Sequence, residues 1–170
     1  PGLFPALKEK NIGSVPQMGS LEDILPSGYE LYMALGRTLV YKKDGKFIGL
    51  KFLKAWEDPG ALEYESEVFD YLNNNKKKLG LQSAYPTPYL FNGERIIRLS
   101  ELNERSETAL TGQTDKAGRA LAIDWTDGSY TLMAYSVDDA SYFTYLNDKG
   151  LTEEQFRDAS IASLHDLFIL

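Results

Sequence analysis

Lys51 lies in the run Phe47-Ile48-Gly49-Leu50-Lys51-Phe52-Leu53-Lys54, and sixteen residues later Glu67 opens the run Glu67-Val68-Phe69-Asp70-Tyr71-Leu72. The first run reads as a strand and the second as part of a helix. A strand fixes the direction of a lysine side chain, and a glutamate on the neighbouring helix can pin its ammonium group. Phosphoryl transfer needs such a pair: a cation held against nucleotide phosphates, and something that holds the cation still. Glu67 is the first choice of partner. Glu63, one turn earlier on the same helix face, is the alternative, and by the same periodicity Glu65 points elsewhere. If the pair is partly buried, losing one partner costs about 3–5 kcal/mol, because a charge is left unpaired.

The elements that must position these residues follow from pattern and punctuation. Strands are expected at about 29–35, 37–43 and 46–54, with a hairpin turn at Lys43-Asp44-Gly45-Lys46, where glycine supplies the positive φ of a tight turn. On the last strand Phe47, Gly49, Lys51 and Leu53 share a face. Asp58-Pro59 starts a helix, since aspartate caps free amides and proline tolerates the first helical position. The helix is expected to run to about Asn74 and to end in Asn73-Asn74-Asn75 and Lys76-Lys77-Lys78, a solvated terminus whose cations suit the negative end of the helix dipole. A second hairpin is expected within 84–104, turning at Asn92-Gly93, and a polar surface loop over 103–117. A third hairpin pairs 119–125 with 130–135. Short helix 138–147 follows. After Gly150, Thr152-Glu153-Glu154-Gln155 has the form of a capping box, opening a helix with one apolar face. Residues 1–28, broken by prolines and glycines, read as an extended strap with at most one helical turn at 21–25.

Composition narrows the function classes. A chain of 170 residues makes one domain, or a domain with an extension. A net charge of −7 and a pI near 4.8 argue against a nucleic-acid binder, which needs a basic footprint. With no cysteine and one histidine, His165, neither thiolate chemistry nor a multi-histidine site is available. No apolar run approaches the roughly 18 residues of a membrane span. A cytoplasmic protein fits, as does a secreted bacterial effector acting in a host cytosol.

From about residue 29 to its end the sequence resembles the protein-kinase superfamily. Ile48-Gly49-Leu50-Lys51 is similar to that family's V-A-I-K strand, and Glu67-Val68 with Tyr71-Leu72 to its helix C. Tyr130-Thr131-Leu132-Met133-Ala134-Tyr135 resembles the strand that leads to the hinge. The run 138–146 resembles the short helix beyond it, and 150–156 the start of the long C-lobe helix. The resemblance implies an α+β fold: a kinase-like N-lobe of antiparallel sheet and helix C, then the first helices of an incomplete C-lobe. The implied division is an N-terminal extension over 1–28, the lobe over 29–135 with an inserted hairpin and loop near 92–125, and hinge and C-lobe start over 136–170. It further implies ATP with Mg²⁺, and roles in the catalytic pair for Lys51 and Glu67. Arg37 would contribute charge near the phosphates. Val40 and Gly49 would flank the adenine, Met133 would be the gatekeeper, and the backbone of Ala134 and Ser136 would meet the adenine edge.

The departures are as definite. The stretch before Val40 has one glycine, Gly36, where the family has three, and backbone approaches phosphates closely only where side chains are absent. No H-R-D or D-F-G motif occurs, and His165-Asp166 sits inside the terminal helix pattern rather than on a loop. Metal ligands are therefore not expected within this sequence. The apolar ending Leu167-Phe168-Ile169-Leu170 suggests a fragment, whose 152–170 helix is covered by the rest of its C-lobe or by a second chain. Four readings stand together. The first is the nucleotide-binding portion of a divergent kinase-like enzyme acting on a protein or another acceptor. The others are a pseudokinase scaffold, a kinase-fold nucleotidyl transferase, and an unrelated α+β binding domain.

Overall fold

A computed structural model describes residues 8–18, 24–35, 38–54, 57–99, 130–137 and 153–170. The architecture is α+β, consistent with a kinase-like N-lobe: a mostly antiparallel sheet with a long helix against one face, and a second helix near the C-terminus. The strands are β1 (Gln17–Met18), β2 (Glu30–Leu35), β3 (Thr38–Lys43), β4 (Lys46–Lys54), β5 (Thr87–Tyr89), β6 (Ile96–Leu99) and β7 (Tyr130–Val137). The helices are α1 (Gly60–Leu79) and α2 (Glu153–Ile169). The sheet order is β1-β6-β7-β4-β3-β2, with β5 also on β7. Among the described residues, only β1 with β6 is parallel.

The expected meander β2-β3-β4 is present. Asp44 and Gly45 carry φ of 49° and 76°, the two positive values of the turn whose twist matches the strands it joins. The second hairpin differs from expectation. Asn92 and Gly93 do turn the chain, with φ of 50° and 86°, but close only the bridge between Phe91 and Glu94. The flanking strands do not pair with each other. They lie end to end along one edge of β7, β6 opposite Tyr130 to Met133 and β5 opposite Ala134 to Ser136. β7 offers a longer row of backbone partners than either short strand could offer the other. The expected strand at 119–125, the loop at 103–117 and the helix at 138–147 lie outside the described residues.

Helix α1 begins as expected: Asp58 Oδ1 accepts the Gly60 amide at 2.9 Å. It runs past Asn74 to Leu79, because the asparagine side chains find partners instead of breaking it. Asn73 donates to the Pro86 carbonyl at 2.8 Å, and Asn75 to that of Tyr71 at 2.8 Å. Gly80, with φ of 70°, then ends the helix. Its amide meets the Lys77 carbonyl, and the Leu81 amide meets that of Lys76.

Two cores follow from the strand alternation. Leu39, Tyr41, Leu50, Phe52, Leu132, Ala134 and Tyr130 fill the face away from α1. Val15, Leu62, Ile96, Met133 and Tyr135 pack between sheet and helix. Val15 comes from the N-terminal strap, which crosses the start of α1 before joining the sheet as β1. There Lys10 Nζ lies 2.6 Å from Glu63 Oε1, and the Lys8 carbonyl lies where a side chain on Gly60 would be, 2.4 Å from an ideal Cβ.

The backbone of the strap cannot yield as a flexible side chain would. Gly60→Ala is therefore expected to destabilise the fold by about 1–3 kcal/mol, by overpacking, despite alanine's better helix propensity. Chemical denaturation measures the loss, and limited proteolysis should cut first within 8–18. A variant as stable as the parent would show that the strap is not held there.

Candidate functional site

The register of β4 between β3 and β7 places residues in rows across the helix-facing side of the sheet. One row is Thr38, Lys51, Met133 and Ile96; the next is Val40, Gly49, Tyr135 and Pro88. Lys51 rises from its row toward α1, and its Nζ lies 2.7 Å from Glu65 Oε2. The expected partner was Glu67, with Glu63 as alternative, and both are corrected. At roughly 100° per residue, buried Leu62 and Ser66, with half-buried Phe69 packed beside them, define the side of α1 that meets the sheet. Glu65 flanks that stripe on the Lys51 side. Glu63 flanks the other side and takes Lys10 instead, together with Asp70, which pairs with Arg95. Glu67 lies farther round, away from the sheet.

Lys51 and Glu65 are 33% and 32% exposed. At that exposure water screens the pair, so its net contribution to stability is nearer about 1 kcal/mol than the 3–5 kcal/mol of a buried pair. Its geometry is nevertheless constrained, because the strand is central and the helix is pinned on its far side. Arg95 donates to Ser66 Oγ at 3.1 Å and pairs with Asp70.

Beside this open pair the sheet face is closed. Val40 and Met133 are fully buried. Gly49 is covered by the ring of Tyr135: an ideal Cβ on Gly49 would lie 2.3 Å from Tyr135 Cζ and 2.6 Å from its Oη. A side chain at this position would have to displace the aromatic ring, which takes the space. The ring also packs against Phe69 at a centroid distance of 6.0 Å. Its hydroxyl shares a hydrogen bond with Thr38 and lies within the field of Glu65. Burial first, then the Glu65 charge, push it up to about 12 against the opposing effect of Thr38.

The residues expected to line a base are thus together, but the slot they frame is filled. Ala134 and Ser136 also differ from expectation. Each lies in a ladder with β4 on one edge of β7 and β5 on the other, so that stretch of backbone is flanked on both sides by strands. Arg37 lies outside the described residues. Among the described residues, no group of three or more histidine, aspartate or glutamate side chains is placed to hold a metal ion.

Asp166, set aside in the sequence as non-catalytic, has a structural part. It is buried on α2 and accepts the amides of Gln82 and Ser83 at 2.7 and 2.8 Å and the Tyr85 hydroxyl at 2.6 Å. His165 Nδ1 is 3.0 Å away. Burial alone would raise its pKa, but these hydrogen bonds outweigh burial and hold the carboxyl well below the usual range. Tyr85 is pushed up in turn, by burial and then by its bond to Asp166. Thr38, Glu65, Tyr135 and Asp166 were all missed as functional or anchoring residues. The alternation of β4 and β7 carried a signal only for Tyr135, once their register is known.

No family model matches the chain. Over 137 residues it is 31% identical to the calmodulin-dependent glutamylase SidJ of Legionella pneumophila. The matched stretch covers 79% of this chain and 14% of SidJ, so the chain spans about a seventh of that relative.

The depressed carboxyl of Asp166 makes a signed prediction. Stability from a lowered folded pKa is fully present above the unfolded value near 4 and is lost as pH falls below it. The melting temperature of the parent should therefore drop more steeply below about pH 4 than that of Asp166→Asn, which starts lower at neutral pH. Parallel curves for the two proteins would remove Asp166 as the anchor.

Proposed function

We propose that this chain is the nucleotide-binding portion of a divergent kinase-like enzyme, in which Lys51 meets the phosphates of ATP and Glu65 orients it. The observation that carries the reading is the 2.7 Å contact between Lys51 on a central strand and Glu65 on α1, at a margin open to solvent. The α+β arrangement around it and the partial similarity to SidJ support the same reading. In this proposal 29–135 is the lobe, 1–28 its extension and 136–170 the hinge and the start of a C-lobe. Ile161, Leu164, Leu167 and Phe168 of α2 are exposed, which supports a covering partner, either the rest of the C-lobe or a second chain. No described helix is long and apolar enough to cross a membrane. We place the protein in the cytoplasm of its own cell or of a host.

The chemistry these residues supply is charge and position. An ammonium group held beside a polyphosphate offsets negative charge and orients the reacting phosphorus. It serves attack at the terminal phosphorus and attack at the one nearest the ribose equally well. The name of the relative is that of a glutamylase. Joining glutamate's amine to a carboxylate requires that carboxylate to be activated first, as an acyl phosphate or an acyl adenylate. Nucleotidyl transfer therefore stands beside phosphoryl transfer as an activity of the intact protein.

A pseudokinase scaffold is the second reading. The filled slot over Gly49 and the strand-flanked edge at Ala134–Ser136 favour it.

In the intact protein, Lys51→Ala is expected to abolish turnover while lowering stability by about 1 kcal/mol or less. Glu65→Gln should slow turnover roughly 100-fold by misplacing the ammonium group, and Glu67→Gln should leave it unchanged. Steady-state kinetics and a melting curve on each variant test this. Full activity in Lys51→Ala would falsify the enzymatic reading, and failure of every nucleotide to raise the melting temperature would favour the scaffold.

A further inference from the structure

We infer that Tyr135 is the gate of the base slot: with its ring over Gly49 the site admits a polyphosphate at Lys51 but no nucleobase. The inference rests on the nucleotide reading above and adds to it a residue that decides which part of the ligand is recognised.

Three observations carry it. The Lys51–Glu65 pair is about one third exposed, so a phosphate reaches it from solvent. One row along the same sheet face the Tyr135 ring stands 2.3 to 2.6 Å from where a Gly49 Cβ would be, leaving no space for a second planar group. The ring's far end is tied at Thr38 and lies near Glu65, so the group that fills the slot is in electrostatic contact with the pair that holds the phosphates.

A purely structural role is the rival account, since an aromatic side chain laid across a strand glycine restores the packing that the glycine lacks. The two accounts differ in what removal of the ring does to ligands. Loss of packing alone changes stability. Loss of a gate changes affinity for a ligand that carries a base and leaves a base-free polyphosphate unaffected.

A base must wait for the ring to leave, and the apparent affinity is reduced by the fraction of molecules in which it has left. Minor states of this kind are populated at about 0.1–10%. Removing the ring should therefore tighten ATP binding by about tenfold or more.

The experiment is calorimetric titration of the intact protein with ATP and, separately, with inorganic tripolyphosphate. The proteins are the parent, Tyr135→Ala, Tyr135→Phe and Lys51→Ala, with Tyr135→Leu added because it keeps an apolar contact toward Phe69 should the alanine variant fold poorly. The expected result is tighter ATP binding in the alanine and leucine variants, unchanged tripolyphosphate binding, ATP affinity in Tyr135→Phe between those of the parent and the alanine variant because its ring still fills the slot without the tie to Thr38, and loss of both ligands in Lys51→Ala. ATP affinity equal in parent, alanine and leucine variants, yet still lost in Lys51→Ala, overturns the gate and leaves the nucleotide reading standing. Tighter binding of both ligands alike also overturns it, as general loosening. No Lys51-dependent binding of either ligand in any variant overturns both.

Discussion

Eight residues of β4 lie antiparallel to eight of β7, with Phe47 opposite Val137 and Lys54 opposite Tyr130. Because successive side chains point to opposite faces, a slip of one residue would send Lys51 and Gly49 to the side away from α1 and bring Leu50 and Phe52 beneath the helix. Both faces carry a core, so neither arrangement could be exchanged without exposing buried apolar groups. The register is therefore strongly specified, and with it the two rows in which Lys51 meets Met133 and Gly49 meets Tyr135. Everything proposed about the site depends on this pairing.

Helix α1 adds a second constraint of a different kind. Few of its residues are fully buried: Gly60, Leu62, Ser66 and Leu72. Its orientation is set by polar contacts from separate parts of the chain: Lys10 on Glu63, Lys51 on Glu65, Arg95 on Ser66 and Asp70, and Asn73 on the Pro86 carbonyl. Partly exposed pairs contribute little stability each, but hydrogen-bonding partners on opposite flanks restrict rotation of the helix. The residue that would face a phosphate is thus also one of the helix's anchors. Asp166 does the same for α2, satisfying two backbone amides of the segment that follows α1.

Much of this was legible in the sequence wherever a local signal sufficed. The meander β2-β3-β4, its Asp44-Gly45 turn and the start of α1 all follow from period, turn chemistry and capping within a few residues. The choice of Glu67 failed because helical periodicity says which glutamates share a face but not which face meets the sheet. That is decided by the burial of Leu62 and Ser66 and the packing of half-buried Phe69, which come from tertiary structure. Helix α1 outruns its expected end because Asn73, by type a helix breaker, reaches Pro86, a partner beyond the helix. The second hairpin failed for a related reason: Asn92-Gly93 signals a turn but not which strands the flanking segments choose. Asp166 gave no signal at all, since its donors lie more than eighty residues away in sequence.

The resemblance to kinases joins two devices that the structure separates. Holding a cation beside phosphates needs one strand, one helix and a single contact, and those parts tolerate a change of partner from one helix position to another. Recognising a base needs an empty slot bordered by several strands and a stretch of backbone whose hydrogen-bonding edge is free. In the proposed reading Lys51 and Glu65 make up the first set. In the second, Tyr135 takes the slot and β5 takes the edge. A small residue at Gly49 suits both cases, a base in the expected arrangement and the Tyr135 ring in this one. Glycine at that position is therefore no evidence for base binding. The half-buried Lys51–Glu65 contact is the firmer ground for a nucleotide, because packing alone does not require a lysine and a glutamate to meet where solvent still reaches them.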